Sequence, residues 1–316
     1  MKTITFSLFV SLLFLFLVSA CSEENTKLMR IGTNVWPGYE PLYVAREKGW
    51  LDLKRIKLIE YPSASEVIRA FRNKTLEAAS LTLDEVIKLR ESKVPVKIVL
   101  VHDISAGADV IIAKPGIESM QDLKGKRIGV ESGALGAYVI TRALETHKMK
   151  LSDIDVVNMD VNLHESAFAR GQIDAVVTFE PVRTKLLGQG GREIFTSREI
   201  PGEVVDVLVV HEDYLQDYGD NVSSLIDAWF KVLDYKQTNA QEFAQISSRR
   251  LKVSIEDVSA SYSGLLLPDR AENINLLDGQ DAKLHHSLLE IQRVLEQHGL
   301  VEKGIVLDGL ILPFGR

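Results

Sequence analysis

A block of this 316-residue chain occurs twice at one fixed spacing. Arg30-Ile31-Gly32 returns as Arg127-Ile128-Gly129, and Ala70-Phe71 followed by Leu76-Glu77-Ala78 returns as Ala167-Phe168 followed by Ile173-Asp174-Ala175. The two matches share one gapless offset (127 less 30 and 167 less 70, each 97), which favours a repeat over chance identity of short apolar strings. Two halves that share a register are expected to fold alike, which points to an architecture built from twin units.

Each copy reads as β-α-β-α. In the first, Met29 to Thr33 is apolar enough for a buried strand, Leu42 to Lys48 shifts to helical spacing, and Ile56 to Tyr61 gives a second strand. Ser63 with Glu66 three residues on is a capping-box signature for a helix carrying Val67, Ile68, Ala70 and Phe71. In the second, the strands are Arg127 to Glu131 and Val156 to Met159, and the helices Leu135 to His147 and Leu163 to Arg170. Such alternation predicts an α/β fold of mostly parallel sheets with helices on both faces. The β-rich runs Val96 to His102 and Ala108 to Ala113 should carry the chain out of the first unit, and Glu203 to Val210 should bring it back. From about Asn221 to Leu300 the chain reads as helices, with apolar residues at three- and four-residue spacing over Leu225 to Gln237 and Leu284 to His298. The expectation is therefore a two-lobed molecule: residues 28–110 plus 207–316 form one discontinuous lobe, and 111–206 form an inserted one. Two hinge crossings join them, and a cleft lies between the strand C-termini.

The chain opens with Lys2, an apolar run from Ile4 to Val18, and the small residues Ser19 and Ala20. That run is too short and too close to the N-terminus for a membrane span and reads as an export signal over residues 1–20. Cys21 is the only cysteine. Leu17-Val18-Ser19-Ala20-Cys21 resembles a bacterial lipobox, which implies a lipid on Cys21, a short polar tether over 21–27, and a place in the periplasm or on the cell surface. A lipidated Cys21 leaves no thiol for a disulfide, a metal site or a nucleophile. Basic residues number 37 and acidic ones 44, and no basic patch points to nucleic acid. The Gly-x-Ser-x-Gly elbow, the His-Glu-x-x-His zinc motif and the P-loop do not occur, so neither catalysis nor a cofactor is expected. His285 and His286 point to different sides of a helix and are not expected to hold a metal. A monomer is expected.

Several residues at the strand ends have chemistry suited to a solute. Trp36 and Tyr39 flank the Pro37-Gly38 turn, where a ring can stack on a flat ligand or lid the first helix. Ser132-Gly133-Ala134-Leu135-Gly136 joins a strand to a helix whose N-terminus can hold an anion, or where Ser132 caps the helix. Thr82 carries the same ambiguity because Glu85 completes a capping box, leaving Asp84 as the polar contact. Asp109, Glu180 and Asp206 stand in apolar text, where an unpaired carboxylate is costly. Facing a cleft they suit an amine, a guanidine or a ring N-H; otherwise each pairs with a cation such as Lys114 or Arg183. A small ligand with at least one nitrogen donor is the expectation.

The run from Asn34 through Trp36-Pro37-Gly38-Tyr39-Glu40-Pro41 to Gly49-Trp50 resembles the opening of binding proteins of the nitrate, sulfonate and taurine importer type, a family that includes the thiamine-pyrimidine-precursor group. Ser105-Ala106-Gly107-Ala108-Asp109, Leu123-Lys124-Gly125-Lys126 and Phe179-Glu180-Pro181 extend the likeness. The resemblance implies a type II periplasmic-binding fold, a small nitrogen- or sulfonate-containing solute, and an ABC permease with its ATPase as partners. It implies ligand contacts at Trp36, Tyr39, Thr82, Asp84, Gly107, Asp109, Ser132, Ala134, Gly136, Glu180 and Asp206, with Tyr138 on the helix beyond. Alternative readings are a ligand-sensing module for a membrane signalling protein and a thiamine-pyrimidine-precursor enzyme. Trp36→Ala is expected to abolish a solute response while leaving the ligand-free melt nearly unchanged.

Overall fold

The computed structural model describes residues 27–278 and 283–314. The expected signal peptide, Cys21 and all of the expected tether except Lys27 lie outside the described residues. In chain order the first half runs β1 (Met29–Thr33), α1 (Glu40–Glu47), β2 (Ile56–Glu60), α2 (Ala64–Arg72), β3 (Ala78–Thr82), α3 (Leu83–Glu91), β4 (Val96–Ser105) and β5 (Asp109–Ala113). The second half repeats the order with β6 (Arg127–Val130), α4 (Leu135–Thr146), β7 (Asp155–Asn158), α5 (Val161–Ala169), β8 (Ala175–Phe179), α6 (Val182–Gly188), β9 (Arg192–Thr196) and β10 (Val205–His211). There follow α7 (Leu215–Thr238), α8 (Ala240–Leu251), α9 (Ile255–Ser261), the short β11 (Leu265–Leu266), α10 (Arg270–Leu277) and α11 (Lys283–Gln297).

The strands form a six-stranded sheet ordered β11-β4-β10-β3-β1-β2 and a five-stranded sheet ordered β7-β6-β8-β5-β9. The repeat is visible bond by bond. Ile31 pairs with Ala78 in the first sheet and Ile128 with Ala175 in the second, the same pair moved on by the repeat offset. Arg30 donates from its backbone N-H and guanidinium to Glu77, and Arg127 does the same to Asp174. Gly32 and Gly129 match for a steric reason: a Cβ on either would lie 2.4 Å from Leu76 Cδ1 or 2.9 Å from Ile173 Cδ1, the equivalent side chain of each copy.

The α/β, two-lobed fold is as the pattern predicts, with a difference in strand direction. β2, β1 and β3 run parallel, as do β7, β6 and β8, but β10 runs antiparallel between β3 and β4, and β5 antiparallel between β8 and β9. Most strands of each sheet therefore point the same way, as expected, with β10 and the short β11 reversed in the first sheet and β5 reversed in the second. Each sheet receives one antiparallel strand from the other half of the chain: β5 leaves the first half to join the second sheet, and β10 returns to the first. The exchange occurs at 106–108 and 197–204, so Asp109 and Val110 belong to the second sheet and Val205 and Asp206 to the first, a few residues from the expected 110/111 and 206/207.

The two crossings touch. Ser105 Oγ lies 2.8 Å from Ser197 Oγ, which also accepts from Gly107 N at 2.7 Å. On the first sheet, Leu42, Tyr43, Trp229 and Phe243 fill one face from α1, α7 and α8, while Val67, Phe71, Leu288 and Ile291 fill the other from α2 and α11. β10 is buried along its whole length, as a central strand covered on both faces must be.

Candidate functional site

The antiparallel strands set the site. In a parallel α/β sheet the loops after the strand C-termini form the rim. An antiparallel neighbour presents its N-terminus at that same rim. Asp206, at the head of β10, therefore stands opposite Thr82 at the end of β3, and Asp109, which opens β5, stands opposite Phe179 at the end of β8. The two aspartates are themselves related by the repeat, since Asp109-Val110 returns as Asp206-Val207 at the same offset. One duplicated acid is thus carried into each sheet by the strand exchange, and the two meet across the cleft.

The cleft between the sheets is lined from the first lobe by Asn34, Trp36, Tyr39, Ala64, Thr82, Glu85 and Asp206, and from the second by Asp109, Glu131, Ala134, Leu135, Gly136, Val139, His164, Val177, Thr178 and Phe179. About 30 Å³ of free space remains, so a solute of more than a few atoms enters only when the lobes part. Trp36 meets Phe179 edge-on across the cleft, with ring centroids 5.4 Å apart.

Carboxyl groups dominate the polar lining. Tyr39 donates its phenol hydrogen to Asp206. Trp36 Nε1 donates to Asp103, the cross-strand neighbour of Asp206, at 3.2 Å. Gly38 makes that approach possible: a Cβ there would fall 1.9 Å from Asp103 Oδ2. Asp109 donates its backbone N-H to Ser105 Oγ at 3.3 Å, while its carboxyl Oδ2 is buried and has no hydrogen-bond partner. Burial pushes the Asp109 carboxyl up to about 7, and burial with the neighbouring Asp84 raises Glu85 to about 8. Burial likewise holds Asp103 and Asp206 well above the ordinary carboxyl range. The histidines do not balance these acids. His164 is occupied by Thr178 and the Met159 carbonyl and is lowered to about 4 by burial, and His102, beneath Tyr39, is lowered to about 3.

Two acids of this lining, Glu85 and Glu131, tie the lobes together. Glu85 Oε2 accepts from Thr82 N at 3.0 Å within the first lobe, and its Oε1 accepts from Leu135 N at 3.2 Å, the first residue of α4 in the second. Glu131, just after β6, accepts from Ser65 N at 2.8 Å near the start of α2. Each acid thus caps a helix of the opposite lobe, where backbone N-H groups lack partners and the helix dipole favours negative charge. Lys88 adds a bond to the Ala134 carbonyl at 3.0 Å.

Of the residues singled out from the sequence, Trp36, Tyr39, Thr82, Asp109, Ala134, Gly136 and Asp206 line the cleft. Asp84, Gly107, Ser132, Tyr138 and Glu180 do not. Asp84 is buried behind Thr82, whose hydroxyl donates to it at 2.6 Å. Gly107 sits at the crossing against Arg198, with a φ of +122° that favours glycine. Ser132 is exposed and bonded to Asn158, and Tyr138 donates to Glu203 at 2.7 Å away from the cleft. Glu180 pairs with Arg183 at 2.8 Å and accepts from Thr184, so the pairing alternative holds for this acid. Nothing in the local pattern pointed to Glu131 or His164. Glu85 reads as a helix cap and is one, but it caps two lobes at once, a contact 50 residues apart in sequence that no local signal carries. Trp36 is buried and bonded to Asp103, so Trp36→Ala would disturb the ligand-free fold, contrary to the expectation from sequence.

Comparison with known proteins places this geometry in a family. A Brucella abortus protein named as a binding protein is 29% identical over 165 residues, half of each chain. The taurine-binding periplasmic protein of Escherichia coli is 24% identical over 177 residues, 54% of this chain and 55% of its own. The chain thus spans about half the length of these relatives. Among solved structures, the alkanesulfonate-binding protein SsuA from Xanthomonas axonopodis pv. citri, bound to MOPS, superposes with a TM-score of 0.76 at 15% identity, covering 90% of this chain and 98% of that one, a likeness of fold. The sequence model of the family described as NMT1/THI5 like matches residues 36–242, and the chain belongs to that family.

Proposed function

We propose that this protein captures a small solute outside the cytoplasm and delivers it to an ABC permease driven by its ATPase, without altering the solute. The observation that carries the reading is the cleft itself, a cavity with acidic side chains in an apolar wall, to which both lobes contribute and beside which two crossings join them. Relatives named for taurine binding and alkanesulfonate binding support it. Solute bridging Asp206 and Tyr39 on one side and Asp109 and Phe179 on the other would favour the closed arrangement over an open one, and a permease could read the closed outline. In the same reading Cys21 bears the lipid that holds the protein at the membrane surface.

A thermal-denaturation screen over amines, amino acids, sulfonates, nitrate and pyrimidines tests capture. A true ligand at a hundredfold excess over its dissociation constant stabilises the fold by about 2.7 kcal/mol. A melt unmoved by every class would remove the reading. The anchor is tested separately: detergent-phase partitioning should be lost in Cys21→Ser.

A further inference from the structure

We infer that the solute is a small organic cation bearing N-H donors, an ammonium, amidinium or guanidinium, with the Asp109 carboxylate as its counter-ion and Asp206 facing it from the other lobe. This inference rests on the capture reading and deepens it.

Three observations converge. Asp109 Oδ2 is buried, lines the cleft and lacks a partner, and an unpartnered buried carboxylate oxygen calls for a donor, preferably a charged one. No lysine or arginine lines the cleft, and its one histidine is kept neutral by burial. The helix end that would suit an anionic solute, the start of α4, is already occupied by the chain's own Glu85. An anion placed beside an ionised Asp109 would be repelled, and a cation attracted, more strongly than in water because the site is buried. Metal is a poorer fit, since among the described residues no three acidic, histidine or cysteine side chains converge as a ligand set. Trp36 and Phe179 supply an apolar wall for the carbon part of an amine.

The groups around Asp109 are overwhelmingly acidic. Asp84 and Glu85 face it from α3, with Lys88 behind them held by Asp84 and the Ala134 carbonyl. Asp103 faces it from β4 and Asp206 from β10, with the Tyr39 phenol on the latter. Glu131 and His164 complete the second-lobe side. These carboxyls could instead stay protonated and donate to an anion, and the two cases differ in sign with pH. A cation binds more tightly as the acids ionise; an anion binds less tightly.

Isothermal titration of the purified protein at pH 6 and pH 8, with alkylamines, alkylguanidines and benzamidine set against ethanesulfonate and nitrate, decides between them. The expected result is binding of at least one cation, about tenfold tighter at pH 8 and accompanied by proton release, as ionisation of a group near pH 7 requires. Asp109→Asn should weaken that binding at least a hundredfold while the protein still melts cooperatively, and Asp206→Asn should weaken it as well. Ethanesulfonate or nitrate binding that tightens toward pH 6 would overturn the cation inference and leave capture standing, as would chelator-sensitive binding of a divalent metal. If no cation binds, the inference also fails; if no probe of any charge binds or moves the melt, capture fails with it.

Discussion

At the scale of single residues, the cleft concentrates acids that burial keeps from ionising. The consequence for stability has a definite sign. Asp109 in the folded protein titrates near 7 rather than near its ordinary 3.8, so the native state binds that proton more tightly than the unfolded chain does. Its stabilising contribution is fully present below about pH 4 and is lost as pH rises through 7. Asp109 alone accounts for on the order of 4 kcal/mol over that window, and Glu85 adds to the same trend up to about pH 8. Urea midpoints of the ligand-free protein should therefore fall between pH 5 and pH 8, and fall less in Asp109→Asn; an equal fall in both would show that Asp109 ionises freely. Gly38→Ala is a steric counterpart. Its Cβ would collide with Asp103 and with Trp36 Nε1, so we expect a loss of about 2 kcal/mol or more and a weakened cleft, read from the melting temperature and from solute affinity.

At the scale of elements, the duplication repeats geometry but not energy. Arg30–Glu77 and Arg127–Asp174 are the same ion pair in two copies, each clamping the start of one parallel strand to the turn before its neighbour. Their burial differs: the Glu77 side chain is 5% exposed, the Asp174 side chain 25%. Removing the arginine strands a buried acid in the first copy and a partly hydrated one in the second. Arg30→Ala should cost about 3 kcal/mol and Arg127→Ala about 1 kcal/mol or less, measured by chemical denaturation. Equal costs would show that burial of the acid is not what distinguishes them.

At the scale of the whole molecule, closure is held by carboxylates that reach across to the opposite lobe's helices. Glu85 at α4 and Glu131 at α2 each accept a backbone hydrogen bond from the opposite lobe, worth roughly 0.5 to 1.5 kcal/mol apiece. They act as latches beside the Lys88–Ala134 bond, the Trp36–Phe179 contact and the two short crossings. The double substitution Glu85→Ala with Glu131→Ala should shift the ligand-free protein toward an open form, seen as a larger radius of gyration in small-angle scattering. An unchanged scattering profile would mean that apolar contacts such as Trp36 against Phe179 hold the lobes shut unaided.

The sequence by itself determined the twin units, the alternation of strands and helices, and the acids at the rim. These follow from periodicity and from a repeat register, which are local or simply additive along the chain. Ser63 capping α2 and Asp109 at the head of β5 are of this kind. Only the tertiary structure decided that the strands exchanged between lobes run antiparallel, that Glu180 is neutralised by Arg183, and that Glu85 occupies the far lobe's helix end. Those outcomes depend on which groups meet after folding. A hydrogen bond between residues on opposite lobes leaves no periodic trace, because its partners are chosen by the closing of the cleft and not by their spacing along the chain.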